Sequence, residues 1–215
     1  MRLLLIRHAQ TVWNAAGRVQ GQADPPLSER GHEQCRALGL RLAGYGLNAL
    51  YSSDLERARL TAEAVATATG APVRLDTGLR EVGLGRWEGA SAESLERDDP
   101  ELFARWTREP SWDVVPGGEG GKAFRQRVLE AMDRVVAGRG DNEAVAVVTH
   151  IGVIRLVLSI CAGLESLGLR WPWAIDNTGL TSLLGPPDVS AWDTSALAVL
   201  AINDSTHLAG AASRA

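Results

Sequence analysis

Ala144-Val145-Ala146-Val147-Val148-Thr149-His150 decides the fold. Five apolar residues run without alternation and then stop at two polar ones. A strand half-exposed to water alternates apolar and polar residues, whereas one covered on both faces does not. This run therefore predicts a central strand of a parallel sheet with helices on either side. Arg2-Leu3-Leu4-Leu5-Ile6-Arg7-His8 repeats the pattern at the start of the chain. Both strands end at a histidine. In open α/β sheets ligands bind beyond the carboxyl ends of the strands, so two of the four histidines fall where such a fold places its chemistry.

The segments around these strands agree. Ser28 caps a predicted helix to about Ala43, with Glu29 early and Gly44 and Gly46 after it. Ala49 to Ser53 reads as a strand. Asp54 reads as the cap of a helix to Thr69, closed by Gly70 and Pro72. Val73 to Leu75 is a further strand. Thr77 to Pro116 reads as irregular, with one or two short helices between Ser91 and Trp106, and a glycine loop at 117–121 precedes a long helix to about Ala137. Ile151 to Cys161 is the next helix, and Thr178 to Leu184 and Leu197 to Ile202 are later strands. Strands alternating with helices predict an α/β three-layer sandwich, a mostly parallel central sheet with helices on both faces. With no repeat or linker, residues 1–208 are read as a single domain and 209–215 as a frayed tail.

The chain has 215 residues, a net charge of −4, 45% hydrophobic and 22% charged residues. That length buries roughly 70% of the unfolded surface without staples. The acidic balance argues against nucleic-acid partners, which need a basic face. No run reaches the 18 apolar residues of a membrane span; Ile151 to Leu164 comes nearest and is broken by Arg155. The apolar start is too short for a signal-peptide core, so a cytoplasmic protein is expected. Cys35 and Cys161 are read as free thiols in or near the core, without metal-ligand spacing. His32 and His207 are expected at the surface. The glycine stretch at 117–123 fails the phosphate-loop template, because Pro116 holds the first glycine position and Ala123 the Ser/Thr position.

Leu5-Ile6-Arg7-His8-Ala9-Gln10-Thr11-Val12-Trp13-Asn14 resembles the signature of the histidine phosphatase superfamily, the phosphoglycerate-mutase-like fold. Four further segments resemble that family in order: Arg18 to Ser28, Tyr51 to Glu63, Leu79 to Gly89, and Val147 to Arg155. The resemblance implies His8 as nucleophile, forming a phosphohistidine. It implies Arg7, Arg57 and His150 around the phosphoryl group, and Glu81 as the acid that protonates the leaving oxygen and then activates water. Asn14, Gln20, Gly21 and the backbone N–H of Ile151 are implied phosphate or substrate contacts. No metal or cofactor is implied, because arginines supply the positive charge. About residues 85–125 correspond to the family's substrate-capping segment, where Phe103, Trp106 and Trp112 are candidate wall residues.

Two positions depart from the pattern. Ala9 and Ile151 stand where the family usually has glycine after each histidine. Mutases resembling this family carry a longer insertion before the second histidine, with a Lys and an Arg pair. Here that stretch has no Arg-Arg pair, and its only lysine is Lys122. The expectation is a phosphomonoester hydrolase acting on a small phosphorylated metabolite, with a mutase and a non-catalytic phospho-ligand-binding relative as alternatives. The oligomeric state is left open: the C-terminal strands, Trp171, Trp173 and Trp192 are read either as packing within the domain or as the contact face of a homodimer.

Overall fold

The computed structural model describes residues 1–164, 172–185 and 197–209; Trp171, Trp192 and residues 210–215 of the expected tail lie outside them. In chain order the main elements are β1 (Arg2–Arg7), α1 (Val12–Ala15), α2 (Glu29–Leu42), β2 (Ala49–Ser52), α3 (Glu56–Thr69), β3 (Val73–Leu75), α4 (Ala92–Asp98), α5 (Pro100–Arg108), α6 (Gly121–Val136), β4 (Ala144–Thr149), α7 (Ile151–Cys161), β5 (Leu180–Leu184) and β6 (Ala198–Asp204).

The strands form one sheet in the order β3-β2-β4-β1-β5-β6. β3, β2, β4 and β1 are mutually parallel, and β5 joins the edge of β1 antiparallel. β1 and β4 lie side by side in register, Arg7 opposite Thr149, which brings the two strand-end histidines together. Although these strands do not alternate in sequence, their side chains do alternate in space. Leu3, Leu5, Val145 and Val147 pack with α6 and α7 on one face, and Leu4, Ile6, Ala146 and Val148 with α2 and α3 on the other. Each such buried aliphatic side chain contributes about 1.5–3 kcal/mol relative to an exposed one. The sandwich therefore has three layers, as the uninterrupted apolar runs predict.

Local differences have local causes. Asp54 does not cap α3: the N-cap is Leu55, without a side-chain cap, and the Asp54 carboxylate is taken by Arg80 Nε at 2.7 Å. β5 starts at Leu180 rather than Thr178, because Thr178 has φ +60°, outside the strand region. α1 is held by a capping box in which Thr11 accepts from the Asn14 backbone and Asn14 accepts from the Thr11 N–H. His207 is half-buried rather than at the surface, its Nε2 3.0 Å from Thr178 Oγ1. Cys35 and Cys161 are free, buried and half-buried.

Candidate active site

His8 follows the last residue of β1 and is buried. Its Nδ1 lies 2.7 Å from the Ala9 carbonyl oxygen. A carbonyl can only accept, so Nδ1 carries the proton and Nε2 keeps its lone pair. Burial, then the charges of Arg57 and Arg7, hold the imidazole well below its usual pKa and therefore neutral. The peptide that follows the ring is fixed at both edges: Ala9 N–H donates to Thr61 Oγ1 at 2.9 Å, and Asn177 Nδ2 donates to the His8 carbonyl at 2.9 Å.

His150 ends β4 and is the N-cap of α7. The two imidazole rings are 5.1 Å apart between centroids. His150 Nε2 meets Ser53 Oγ at 2.9 Å, while its buried Nδ1 has no partner. Burial, then Arg57 and His8, keep this imidazole neutral too.

Arg57, from the first turn of α3, is only 1% exposed. Its Nη1 donates to the Ala23 carbonyl at 2.6 Å and meets Asp24 Oδ1 at 3.2 Å, and Nη2 donates to the Gly21 carbonyl at 2.7 Å. Arg7 is braced by the Ile175 carbonyl at 2.6 Å, and burial draws its pKa down to about 10. The Nε atoms of both arginines are buried without partners. Buried donors are nearly always satisfied, so two guanidinium N–H groups and an imidazole nitrogen without partners among the described residues suit an acceptor-rich ligand at this site.

Glu81 reaches the same place from the loop after β3. Its Oε2 accepts from the Gly152 N–H at 3.2 Å and its Oε1 from the Val82 N–H at 3.0 Å. Burial raises its pKa, although those N–H groups, Arg57 and Arg7 pull the other way. The loop is clamped from behind. Arg127 Nη1 donates to the Gly78 and Arg80 carbonyls at 3.0 and 2.7 Å, and Nη2 to the Glu81 carbonyl at 2.8 Å. Glu119 pairs with Arg127 and also accepts from the Gly83 N–H at 3.0 Å. The glycine stretch rejected as a phosphate loop thus supplies the anchor of the acid loop.

Arg7, His8, Asn14, Gln20, Gly21, Arg57, Glu81 and Ile151 all line one cavity of about 290 Å³. His150 sits behind it, in ring contact with His8. The Asn14 carbonyl oxygen is used by the Thr11 N–H and Asn177, which leaves its NH₂ for a ligand. Gln20 is oriented likewise, its Oε1 accepting from Thr11 Oγ1 at 2.9 Å. Gly21 acts through its carbonyl on Arg57; its φ of +54° and the Glu88 carboxylate against its Cα leave no room for a side chain. Glu88 accepts from the Gln22, Ala23 and Leu84 N–H groups and so ties the Arg57-holding loop to the acid loop.

Sequence reasoning missed several residues. Arg18 and Arg155 line the cavity; sequence reading places both in family-like segments but assigns neither a role. Trp106 and Trp112 line it, but Phe103 does not. Gly152 was passed over in favour of Ile151. The close approach of a carboxylate to its Cα is a tertiary fact with no local signal. Among the described residues no group of His, Cys, Asp and Glu could hold a metal ion.

Paired buried imidazoles, two guanidiniums and a buried carboxyl whose pKa burial raises, all at the carboxyl ends of parallel strands, define a phosphoryl-transfer enzyme. Residues 3–195 match the family model of the histidine phosphatase superfamily (branch 1), and the chain belongs to that family. It is 36% identical to phosphoserine phosphatase 1 of Hydrogenobacter thermophilus, over 82% of this chain and 83% of that one. It is 33% identical to the adenosylcobalamin/alpha-ribazole phosphatase of Escherichia coli, over 82% and 86%. A solved structure of the mycobacterial glucosyl-3-phosphoglycerate phosphatase with VO3 superposes with a TM-score of 0.76 at 31% identity, covering 94% of this chain and 98% of that one. The protein is an enzyme, a metal-independent phosphatase of that superfamily.

Proposed function

We propose that the enzyme hydrolyses a small phosphomonoester through a phosphohistidine on His8. The observation that carries this reading is the Nδ1 hydrogen bond to Ala9, which leaves Nε2 as the only nucleophilic nitrogen of the ring. Its lone pair attacks phosphorus, the bond to the ester oxygen breaks, and Glu81 gives its proton to that oxygen. Water then attacks the phosphohistidine while the Glu81 carboxylate takes its proton, and the P–N bond breaks to return neutral His8.

The remaining groups bear the charge. Arg7 and Arg57 hold the phosphoryl oxygens through the donors left unsatisfied, Nε in each case. A Ser53 hydroxyl that donates to His150 Nε2 leaves the proton on Nδ1, a further donor to a phosphate oxygen. Asn14 and Gln20 offer NH₂ groups, and the Ile151 N–H at the start of α7 faces an anion favourably.

Residues 85–125 cap the cavity, with Trp106 and Trp112 in its wall beside Val19, Val82 and Leu84. Both indole Nε1 atoms are buried without partners. A compact leaving group with an apolar face and an oxygen acceptor suits that wall. The relatives named for phosphoserine, alpha-ribazole phosphate and glucosyl-3-phosphoglycerate bracket the class of substrate. Free Cys35 and Cys161 fit a reducing, cytoplasmic setting.

The test is acid-stable versus acid-labile trapping of labelled phosphate. Wild type quenched during turnover of p-nitrophenyl phosphate should carry acid-labile, base-stable label on the peptide containing His8. His8→Ala should carry none and turn over at least 10³-fold more slowly. Near wild-type turnover by His8→Ala refutes the assignment.

A further inference from the structure

The segment 175–179, between α7 and β5, touches the nucleophile's surroundings at five points. The Ile175 carbonyl accepts from Arg7 Nη1 at 2.6 Å. Thr178 N–H donates to the Arg7 carbonyl at 2.9 Å, and Arg7 N–H reaches the Gly179 carbonyl at 3.4 Å. Asn177 Nδ2 donates to the His8 carbonyl at 2.9 Å and to Asn14 Oδ1 at 3.3 Å. One side chain thereby fixes both the backbone of His8 and the amide orientation of Asn14.

This segment is itself held in a conformation that a β-branched residue rarely adopts. Thr178 is fully buried with φ +60°. Such strain persists only where the surroundings over-determine it, and it gathers at functional sites. Here the surroundings come from the end of β6 and the turn beyond it. Thr178 Oγ1 bridges the Asn177 carbonyl at 2.7 Å and His207 Nε2 at 3.0 Å. Asn203, also at positive φ, accepts from the Asp176 N–H at 2.7 Å and donates to Asp176 Oδ2 at 3.0 Å. Ser205 Oγ adds a bond to the same carboxylate at 3.2 Å.

We propose that Asn177 is a positioning residue for the His8 nucleophile, and that His207, acting through the Thr178 hydroxyl, is the latch that keeps it in place. The Asn177 bond to the His8 carbonyl and the Thr61 bond to the Ala9 N–H hold the two edges of one peptide plane. The Ala9 carbonyl that accepts the His8 Nδ1 hydrogen bond begins the next peptide, joined to that plane through the Ala9 Cα. If the plane turns, the Ala9 carbonyl moves with it and the imidazole loses its fixed tautomer and its line of attack, while Arg57, held by the Gly21 and Ala23 carbonyls, stays where it is. The proposal rests on His8 as the nucleophile.

The experiment is rapid-quench measurement of the p-nitrophenol burst on the full chain, combined with ¹⁵N NMR of the histidine rings. Asn177→Ala should slow the burst at least tenfold and change KM by less than fivefold. His207→Ala should slow it at least threefold, and His207→Gln, which returns a side-chain N–H toward Thr178, should come back within twofold of wild type. In wild type the His8 Nδ1–H signal should be sharp and slow to exchange, and in Asn177→Ala it should be lost. A burst within twofold of wild type in both Asn177→Ala and His207→Ala overturns the proposal. An unchanged His8 ring spectrum in Asn177→Ala overturns it as well. If wild type gives no burst, phosphoryl transfer to His8 is rate-limiting and kcat reads that same step with the same thresholds; if a burst occurs and His8 carries no trapped label, the nucleophile assignment has failed and the ring spectrum alone decides the latch.

Discussion

Gly152 donates its backbone N–H to Glu81 Oε2 at 3.2 Å, and a Cβ at position 152 would overlap the other oxygen, Oε1, of the same carboxyl group. The acid thus lies directly against the α7 backbone. Gly152→Ala must push the carboxyl out of line. We expect a loss of about 1–3 kcal/mol in stability from overpacking. We expect a fall of about 10²-fold in kcat for an alkyl phosphate, whose leaving oxygen needs a proton. Denaturant melts and steady-state rates check both, and a folded variant with wild-type kcat would refute the placement of the acid.

The burial that raises the Glu81 pKa also sets a pH profile. The first step needs Glu81 protonated and His8 neutral, and the His8 pKa lies well below 6.5. Activity on a poor leaving group should therefore be highest on the acid side and decline as pH rises through the raised Glu81 pKa. Glu81→Gln should flatten that alkaline limb and lower kcat by about 10²–10⁴-fold. The transfer step from p-nitrophenyl phosphate, read as a single-turnover rate, should be affected far less, since its leaving group needs no proton, whereas the water step that also uses Glu81 slows alike for both esters. Equal losses in the transfer step on both esters would rule out Glu81 as the acid.

Arg127 never touches the cavity, yet it holds three carbonyls of the acid loop and pairs with Glu119. Arg127→Met keeps the stem and deletes the donors. It should cost about 2 kcal/mol of stability and lower kcat more than it raises KM. The double variant with Glu119→Gln should lose less than the sum of the two single changes, because they share one network. Additive losses would separate the pair from the loop.

His8 and His150 are buried and neutral, each with its folded pKa well below the unfolded value of about 6.5. The unfolded chain therefore takes up protons that the folded chain refuses as pH drops below 6.5. Stability is full above that value and declines below it, by up to about 1.4 kcal/mol per pH unit for each imidazole. Glu81, with its raised pKa, opposes part of this. Urea midpoints at pH 7 and pH 5.5 should fall toward acid, and less steeply in His150→Gln. An unchanged difference in that variant would show that His150 is not buried neutral.

Trp106 packs edge-on against buried Trp87, with centroids 5.5 Å apart, while Trp112 packs against the core with no aromatic ring partner among the described residues. Trp112→Ala should therefore leave the fold intact and raise KM for 1-naphthyl phosphate about two- to tenfold, the worth of one aromatic contact. Inorganic phosphate inhibition should stay as it is. Competition assays with both ligands check it, and a parallel loss for phosphate would place Trp112 on the phosphoryl side instead.

Much of this was legible in the chain. Leu3 to Ile6 and Val145 to Val148 are apolar on both faces, which admits only a central strand between two helical layers, and a strand that ends at His8 or His150 puts that histidine at the sheet's binding edge. Resemblance to the histidine phosphatase superfamily, segment by segment, brought Arg7, Arg57 and Glu81 into the same expectation. Ser28 read correctly as a cap because capping is local chemistry, whereas Asp54 did not, since Arg80 competes for its carboxylate from 26 residues away.

The sequence by itself determined the layers and the two histidines at the strand ends, because burial period and capping are written within a few residues of each other, while the residues proposed to meet a phosphoryl group came from resemblance to a family. Only the tertiary structure decided how those residues are held. Gly152 makes room for Glu81, Arg127 clamps the acid loop, and Asn177 reaches the His8 carbonyl from 169 residues away. Such contacts depend on how three packed layers bring distant backbones to hydrogen-bond distance, and no local pattern encodes that distance.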